Sequence, residues 1–258
     1  MNKIILTSLF LCMLSGCATT QTTDGAADPL QPANRVGYSI NDTLDLALLK
    51  PIAETYEKAI PQLLRTGITN FFDNLNYLNV ILNSFLQGKI DQGLSDVSRF
   101  VFNSTIGLGG LVDVSTVMGL PAHDEDLGQT FAVWGFGQGA YFYLPVEGPH
   151  TASTLPDIVV SALLNPLTYV TSAILFPLAA LNIINERANL LEATNIRDEA
   201  AVDPYIFTRE AYLQRRKYLI YDGNPPPEGY DDIFQNGNTF NEESSIGEEQ
   251  DSAVLRIE

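Results

Sequence analysis

The stretch Ile90-Asp91-Gln92-Gly93-Leu94-Ser95-Asp96-Val97-Ser98-Arg99-Phe100-Val101 decides the fold class. Ile90, Leu94, Val97 and Val101 recur at i, i+4, i+7 and i+11, with Asp91, Asp96 and Ser98 on the other side. That is the spacing of an amphipathic helix, not of a strand. The same period runs upstream, where Leu64, Ile68, Phe71 and Phe72 follow Pro61. Pro61 and Pro51 are each placed to start a helix, because a fixed φ suits a first turn. Asn41 to Leu49 reads as a short amphipathic piece. Downstream, Asp203-Pro204 is an N-cap followed by proline at the first helical position, opening a helix to about Tyr221. Strand-like alternation is nearly absent, with Tyr141-Phe142-Tyr143-Leu144 before Pro145 as the one candidate. The fold class is therefore mainly α.

Three stretches are too apolar for an ordinary surface. Residues 74–88, 131–146 and 158–185 carry no charge, and the last of them is long enough to cross a bilayer. Pro166 and Pro177 argue against one straight span, and Asn165, Thr168, Thr171 and Ser172 against lipid contact on every side. Three readings stay open: a buried core helix, a kinked span, or helices lying in the membrane plane, apolar outside and polar inside, ringed around a wet path.

Charge sets further bounds. The 258 residues hold 14 Lys+Arg against 31 Asp+Glu, a net of −17, which excludes a general nucleic-acid binder. The imbalance is concentrated at the C-terminus, where ten acids and a single base, Arg256, follow from Asp222 onward. With Pro225, Pro226 and Pro227 and many Ser, Asn and Gly, residues 223–258 read as an acidic disordered tail. At the other end, Lys3, the apolar run Ile4 to Leu14 and then Leu14-Ser15-Gly16-Cys17 look like a bacterial lipobox. On that reading residues 1–16 are a lipoprotein signal peptide, Cys17 is the acylated first residue of the mature chain, and residues 17–27 are a polar tether. Ala18, where an aspartate would retain the protein in the inner membrane, sends it to the outer membrane.

Motifs for covalent chemistry are missing: there is no G-x-S-x-G, P-loop, H-E-x-x-H or C-x-x-C. His123 precedes Asp124-Glu125-Asp126, where an acid is better placed to cap a helix than to share a metal. His150 lies in Glu147-Gly148-Pro149-His150-Thr151, a loop by composition. Gly107 to Gly110 and Gly135 to Gly139 read as tight turns or close packing. Arg209, Tyr212 and Arg216 share one helix face, near Arg215 and Lys217, and meet either lipid phosphates or the chain's own acids. No metal, cofactor or catalytic residue is expected.

Longer motifs then fall in order. Asp28-Pro29-Leu30-Gln31-Pro32-Ala33-Asn34-Arg35, Asn70-Phe71-Phe72-Asp73-Asn74-Leu75, Phe85-Leu86-Gln87-Gly88-Lys89, Arg99 through Val114, Glu125 through Thr130, Trp134 through Tyr141, and Asp203 through Tyr212 resemble the MlaA (VacJ) family of outer-membrane lipoproteins. The resemblance covers residues 28–222. It departs from the family pattern at Ala33, at Ala140 and in the loop from Gly148 to Asp157, which lacks the usual arginine.

The resemblance implies a ring of amphipathic helices embedded in the inner leaflet of the outer membrane, anchored on the periplasmic side beside a trimeric porin. It implies a passive conduit, not an enzyme. Mislocalised phospholipid would leave the outer leaflet for a periplasmic lipid carrier linked to an inner-membrane ATP-driven transporter. The polar residues of the family motifs, Asn34, Arg35, Asn41, Asn70, Asn74, Arg99 and Asn103, are candidates for lining the lipid path, or for shaping the ring by hydrogen bonds. Two other classes remain: a structural lipoprotein that braces porins, and an envelope lipid hydrolase.

Overall fold

The computed structural model describes residues 28–226. The signal peptide, the tether with Cys17, and residues 227–258 of the tail lie outside the described residues.

The chain is mainly helical. Helix α1 (Gln31–Leu44) passes through a π-helical turn (Asp45–Leu49) into α2 (Lys50–Ala59). The piece read as Asn41 to Leu49 is thus the middle of a longer rod, and Pro51 falls in the first turn of α2. The π turn widens the backbone just ahead of Pro51, the residue that has no N–H to give. Pro61 is the N-cap of α3 (Gln62–Leu86), which a short turn at Gly88 joins to α4 (Ile90–Thr105). A glycine loop leads to the single turn α5 (Val114–Val117), and α6 (Leu127–Val133) follows. The strand candidate forms: β1 (Tyr141–Leu144) pairs antiparallel with β2 (Gly148–Thr151), Tyr141 opposite Thr151 and Leu144 opposite Gly148. The segment around His150, read as loop from its composition, is therefore mostly strand.

The 28-residue uncharged stretch is broken. It contributes to α7 (Leu155–Leu164), a 3-10 turn (Pro166–Tyr169) and α8 (Ser172–Asn189), with Pro177 inside α8. No helix among the described residues is long and apolar enough to cross a membrane. Helices α9 (Leu191–Ala200) and α10 (Pro204–Ile220) complete the chain. Asp203 caps α10 as its position foretold, accepting from the N–H groups of Tyr205 and Ile206.

The packing closes on itself: α3 touches α8, α8 touches α2, α2 touches α9, α9 touches α10, α10 touches α6, and α6 returns to α3. What lies inside is unusual. Among the described residues, eighteen polar or charged residues are buried against nine apolar ones. A water-soluble domain has the opposite preference. Helix α4 displays the inversion most clearly. Its apolar face is outside, with Ile90 54%, Leu94 57% and Val101 47% exposed. Its inward face carries Gly93, Asp96, Arg99 and Asn103. Gly93 is needed there, because a Cβ would come within 2.8 Å of the Phe85 ring. In the same sense α7 has no buried residue, and α8 turns Ile174 and Phe176 outward. The apolar cluster around Ala53, Ala188 and Leu191 is small by comparison.

Candidate functional site: a polar interior and an open cleft

Four of the seven path candidates gather around the loop by which α4 leads to α5. Arg99 Nη2 donates to Asp113 at 2.5 Å, and Nη1 donates to Thr116 Oγ1 and to the Leu120 carbonyl. Asn103 donates to Asp113 Oδ1 and accepts from the buried Ser115 N–H. Asp113 caps α5 through the Thr116 N–H. Burial pushes the Asp113 carboxyl up, but donors from Thr116, Arg99 and Asn103 outweigh it and hold the group below its ordinary range. Asn74 donates to Ser104 Oγ, one turn before the glycine loop. Gly110 lies against Asn74 at φ +96°, where a Cβ would approach the Asn74 side chain to 2.6 Å. Asn70 reaches the Leu111 carbonyl of the same loop at 3.4 Å.

The remaining candidates serve the N-terminal rod. Asn34 is buried, donating to Asp28 and to the Tyr141 carbonyl and accepting from the Tyr143 N–H. Asn41 makes the same pair one step further along, donating to the Leu144 carbonyl and accepting from the Val146 N–H. Arg35 pairs with Asp203 at 2.6 Å and covers the Tyr205 ring.

Two buried carboxylates organise the rest of the interior. Asp96, fully buried, accepts from Tyr77 and Ser84 and contacts His123 Nδ1 at 2.7 Å. Ser84 and His123 thus share the carboxylate rather than a hydrogen bond with each other, unlike a nucleophile and its base. Glu125 gathers Lys89, Gln87 and Gln92. Between them a chain of side chains runs from Thr130 to Asn83 to Asn79 to Asp157. None of these residues was singled out in the sequence as a path candidate. The signal available was the repetition Asn70, Asn74, Asn76, Asn79, Asn83 within one helix whose charged residues are Arg65 and Asp73.

That chain ends at an open cleft of about 580 Å³ between α7, α10, β2 and the loop before α6. Asn76, Asp157, Arg215, Arg216 and His150 face it, beside apolar Ile158 and Leu219. None of the seven path candidates lines it. Asp157 also accepts from the Leu127 N–H, and its burial pushes the carboxyl above its ordinary range. Arg216 forks onto Asp126, which caps α6. Arg215 pairs with Asp124 at 2.9 Å. The basic face of α10 is thus met by the chain's own acids at both positions. Among the described residues no group of His, Cys, Asp and Glu is arranged to hold a metal ion.

A closed helical circuit that buries mostly polar side chains and leaves large apolar ones outside defines a class of fold inverted relative to an ordinary water-soluble domain. The family model for the MlaA lipoprotein matches residues 26–219. The intermembrane phospholipid transport system lipoprotein MlaA of Shigella flexneri is 33% identical over 88% of this chain and 92% of its own length. The protein of that name from Escherichia coli is 32% identical over the same shares, and that of Haemophilus influenzae 29% identical over 86% and 92%. A solved structure, described as the structural basis for maintenance of bacterial outer membrane lipid asymmetry, is 31% identical. It superposes with a TM-score of 0.66 over 76% of this chain and 100% of its own. The chain belongs to the MlaA lipoprotein family.

Proposed function

We propose that this protein is a passive conduit that removes mislocalised phospholipid from the outer leaflet of the outer membrane. It is anchored through an acylated Cys17 on the periplasmic side, lies in the inner leaflet beside a trimeric porin, and hands lipid to a periplasmic carrier. An inner-membrane ATP-driven transporter draws lipid from that carrier. The observation that carries the reading is the inversion of α4, with Leu94 and Val101 outside and Asp96, Arg99 and Asn103 inside. Such a helix gains by setting its outer face in hydrocarbon, at about 25 cal/mol per Å² of apolar surface covered. Its inner face is polar and hydrogen-bonded within the fold, and a headgroup passing inside it would avoid the several kcal/mol that crossing hydrocarbon costs. Binding and passage need no bond to be made or broken.

The test is the phospholipid content of the outer leaflet in cells with and without the protein. Deletion is expected to raise it, and re-expression to lower it without release of lipid breakdown products. Unchanged content on deletion would leave a porin brace; breakdown products that depend on the protein would indicate a hydrolase.

A further inference from the structure

The cleft differs from the rest of the interior in one respect: its charges are not all consumed by the fold. Arg216 and Asp126 are buried or nearly so and neutralise each other. The Nε–H of Arg216 is nevertheless buried without a hydrogen-bond partner, a donor that folded proteins seldom leave unmet. Arg215 and Asp124 form a second pair at the rim, with side chains 70% and 57% exposed. Water screens such a pair, so it holds together weakly and either member can exchange its partner for a ligand. Glu147, in the turn of the hairpin, also lines the cleft and makes no ion pair among the described residues. Asp157 adds a fourth carboxyl. The lining thus sets two guanidinium groups on α10 against four carboxyl groups, with Ile158, Ala162 and Leu219 as an apolar wall between.

We propose that this cleft is a headgroup subsite that favours a zwitterionic phosphodiester-ammonium headgroup over an anionic one. The phosphodiester sits on Arg215 and the Arg216 edge, displacing Asp124 from Arg215. The ammonium is received by Glu147 and by the released Asp124. The apolar wall takes the glycerol ester region. An anionic headgroup would satisfy the arginines but bring a further negative charge into a cleft with two more acids than arginines, and it has no ammonium for Glu147. One added unit charge at this range, partly screened, is worth about tenfold in binding. The proposal rests on the conduit reading, and gives it a substrate preference.

The experiment uses the full acylated lipoprotein in detergent micelles, exposed to equimolar dioleoyl phosphatidylethanolamine and dioleoyl phosphatidylglycerol, with retained lipid counted by native mass spectrometry. The expected result is about tenfold preference for the ethanolamine lipid. Glu147→Gln should reduce the preference severalfold, by weakening ethanolamine-lipid binding and, with one negative charge removed, strengthening glycerol-lipid binding. Arg215→Gln should weaken both lipids together. Both side chains are exposed, so neither variant threatens the fold, and an unchanged thermal midpoint verifies this. Equal retention of the two lipids by the unaltered protein, or a preference untouched by Glu147→Gln, would overturn the proposal. So would binding of free glycerophosphoethanolamine without retention of the intact lipid, which would mark a soluble ligand instead. Failure of the conduit reading shows separately, as outer-leaflet phospholipid that does not respond to deletion of the protein.

Discussion

Replacing Leu94 by aspartate separates a lipid-facing helix from a water-facing one. Leu94 is 57% exposed on the outer face of α4, which buries Gly93, Asp96, Arg99 and Asn103 on its other side. In water, an aspartate there should change folding stability by no more than about 0.5 kcal/mol, the ordinary effect of a surface substitution. In hydrocarbon two losses add. The exposed half of a leucine side chain gives up roughly 1 kcal/mol of transfer free energy. A carboxylate at membrane depth costs about 2.5–3.5 kcal/mol on insertion scales. The sum, about 4 kcal/mol, is a several-hundred-fold loss in partitioning. The assay is flotation of purified protein with phospholipid vesicles, paired with a thermal midpoint in detergent. Leu94→Asp is expected to keep its midpoint and to leave the vesicle fraction. Undiminished flotation of a well-folded Leu94→Asp would refute the lipid-facing assignment of this helix.

Three further outcomes are expected. Cys17→Ser should abolish acylation and leave the chain uncleaved or mislocalised, as read by labelled palmitate incorporation and membrane fractionation. Removal of residues 228–258 should leave the thermal midpoint unchanged, because the helical circuit ends before Asp222; a fall of several degrees would show that this segment packs. Asn103→Leu should lower the midpoint by roughly 2–10 °C, since it strips the buried Ser115 N–H of its acceptor, a loss of about 1–3 kcal/mol. The partner Asp113 gives that site a pH signature. Its folded-state pKa is depressed, so its contribution is complete above the ordinary carboxylate range and lost as pH falls through the lowered value. Asp113→Asn should flatten that acid limb of a stability-against-pH curve.

The helices were legible because periodicity survives inversion. Ile90, Leu94, Val97 and Val101 mark one stripe whether it faces a core or a bilayer, so the spacing identified α4 while leaving its sense undetermined. The sense depended on the other face, where Asp96, Arg99 and Asn103 find partners supplied by Tyr77, Ser84, Asp113 and Thr116, from 10 to 19 residues away in sequence. Caps were legible for the opposite reason: Asp126 and Asp203 act on N–H groups two or three residues ahead. Strand β2 was not, because Gly148-Pro149-His150-Thr151 has little strand propensity and forms by pairing with β1. The cleft could not be read at all. Asn76, Asp124, Glu147, Asp157 and Arg215 have no spacing in common, and only the closing of α10 onto α6 brings them together.

The two asparagines of α1 have a consequence for the hairpin they touch. Asn34 and Asn41 lie two helical turns apart, and each presents an amide to β1 as an acceptor and a donor at once. Together they imitate the neighbouring strand that β1 lacks. A two-stranded ribbon with a bare edge is an invitation to pair with another chain. The amides close that edge within the molecule. They also fix its phase: slipping β1 by one residue would turn Tyr141 and Tyr143 away from Asn34 and leave both asparagines facing the wrong backbone atoms. The position of Glu147 and His150 at the cleft is in this way set by a helix more than a hundred residues earlier in the chain.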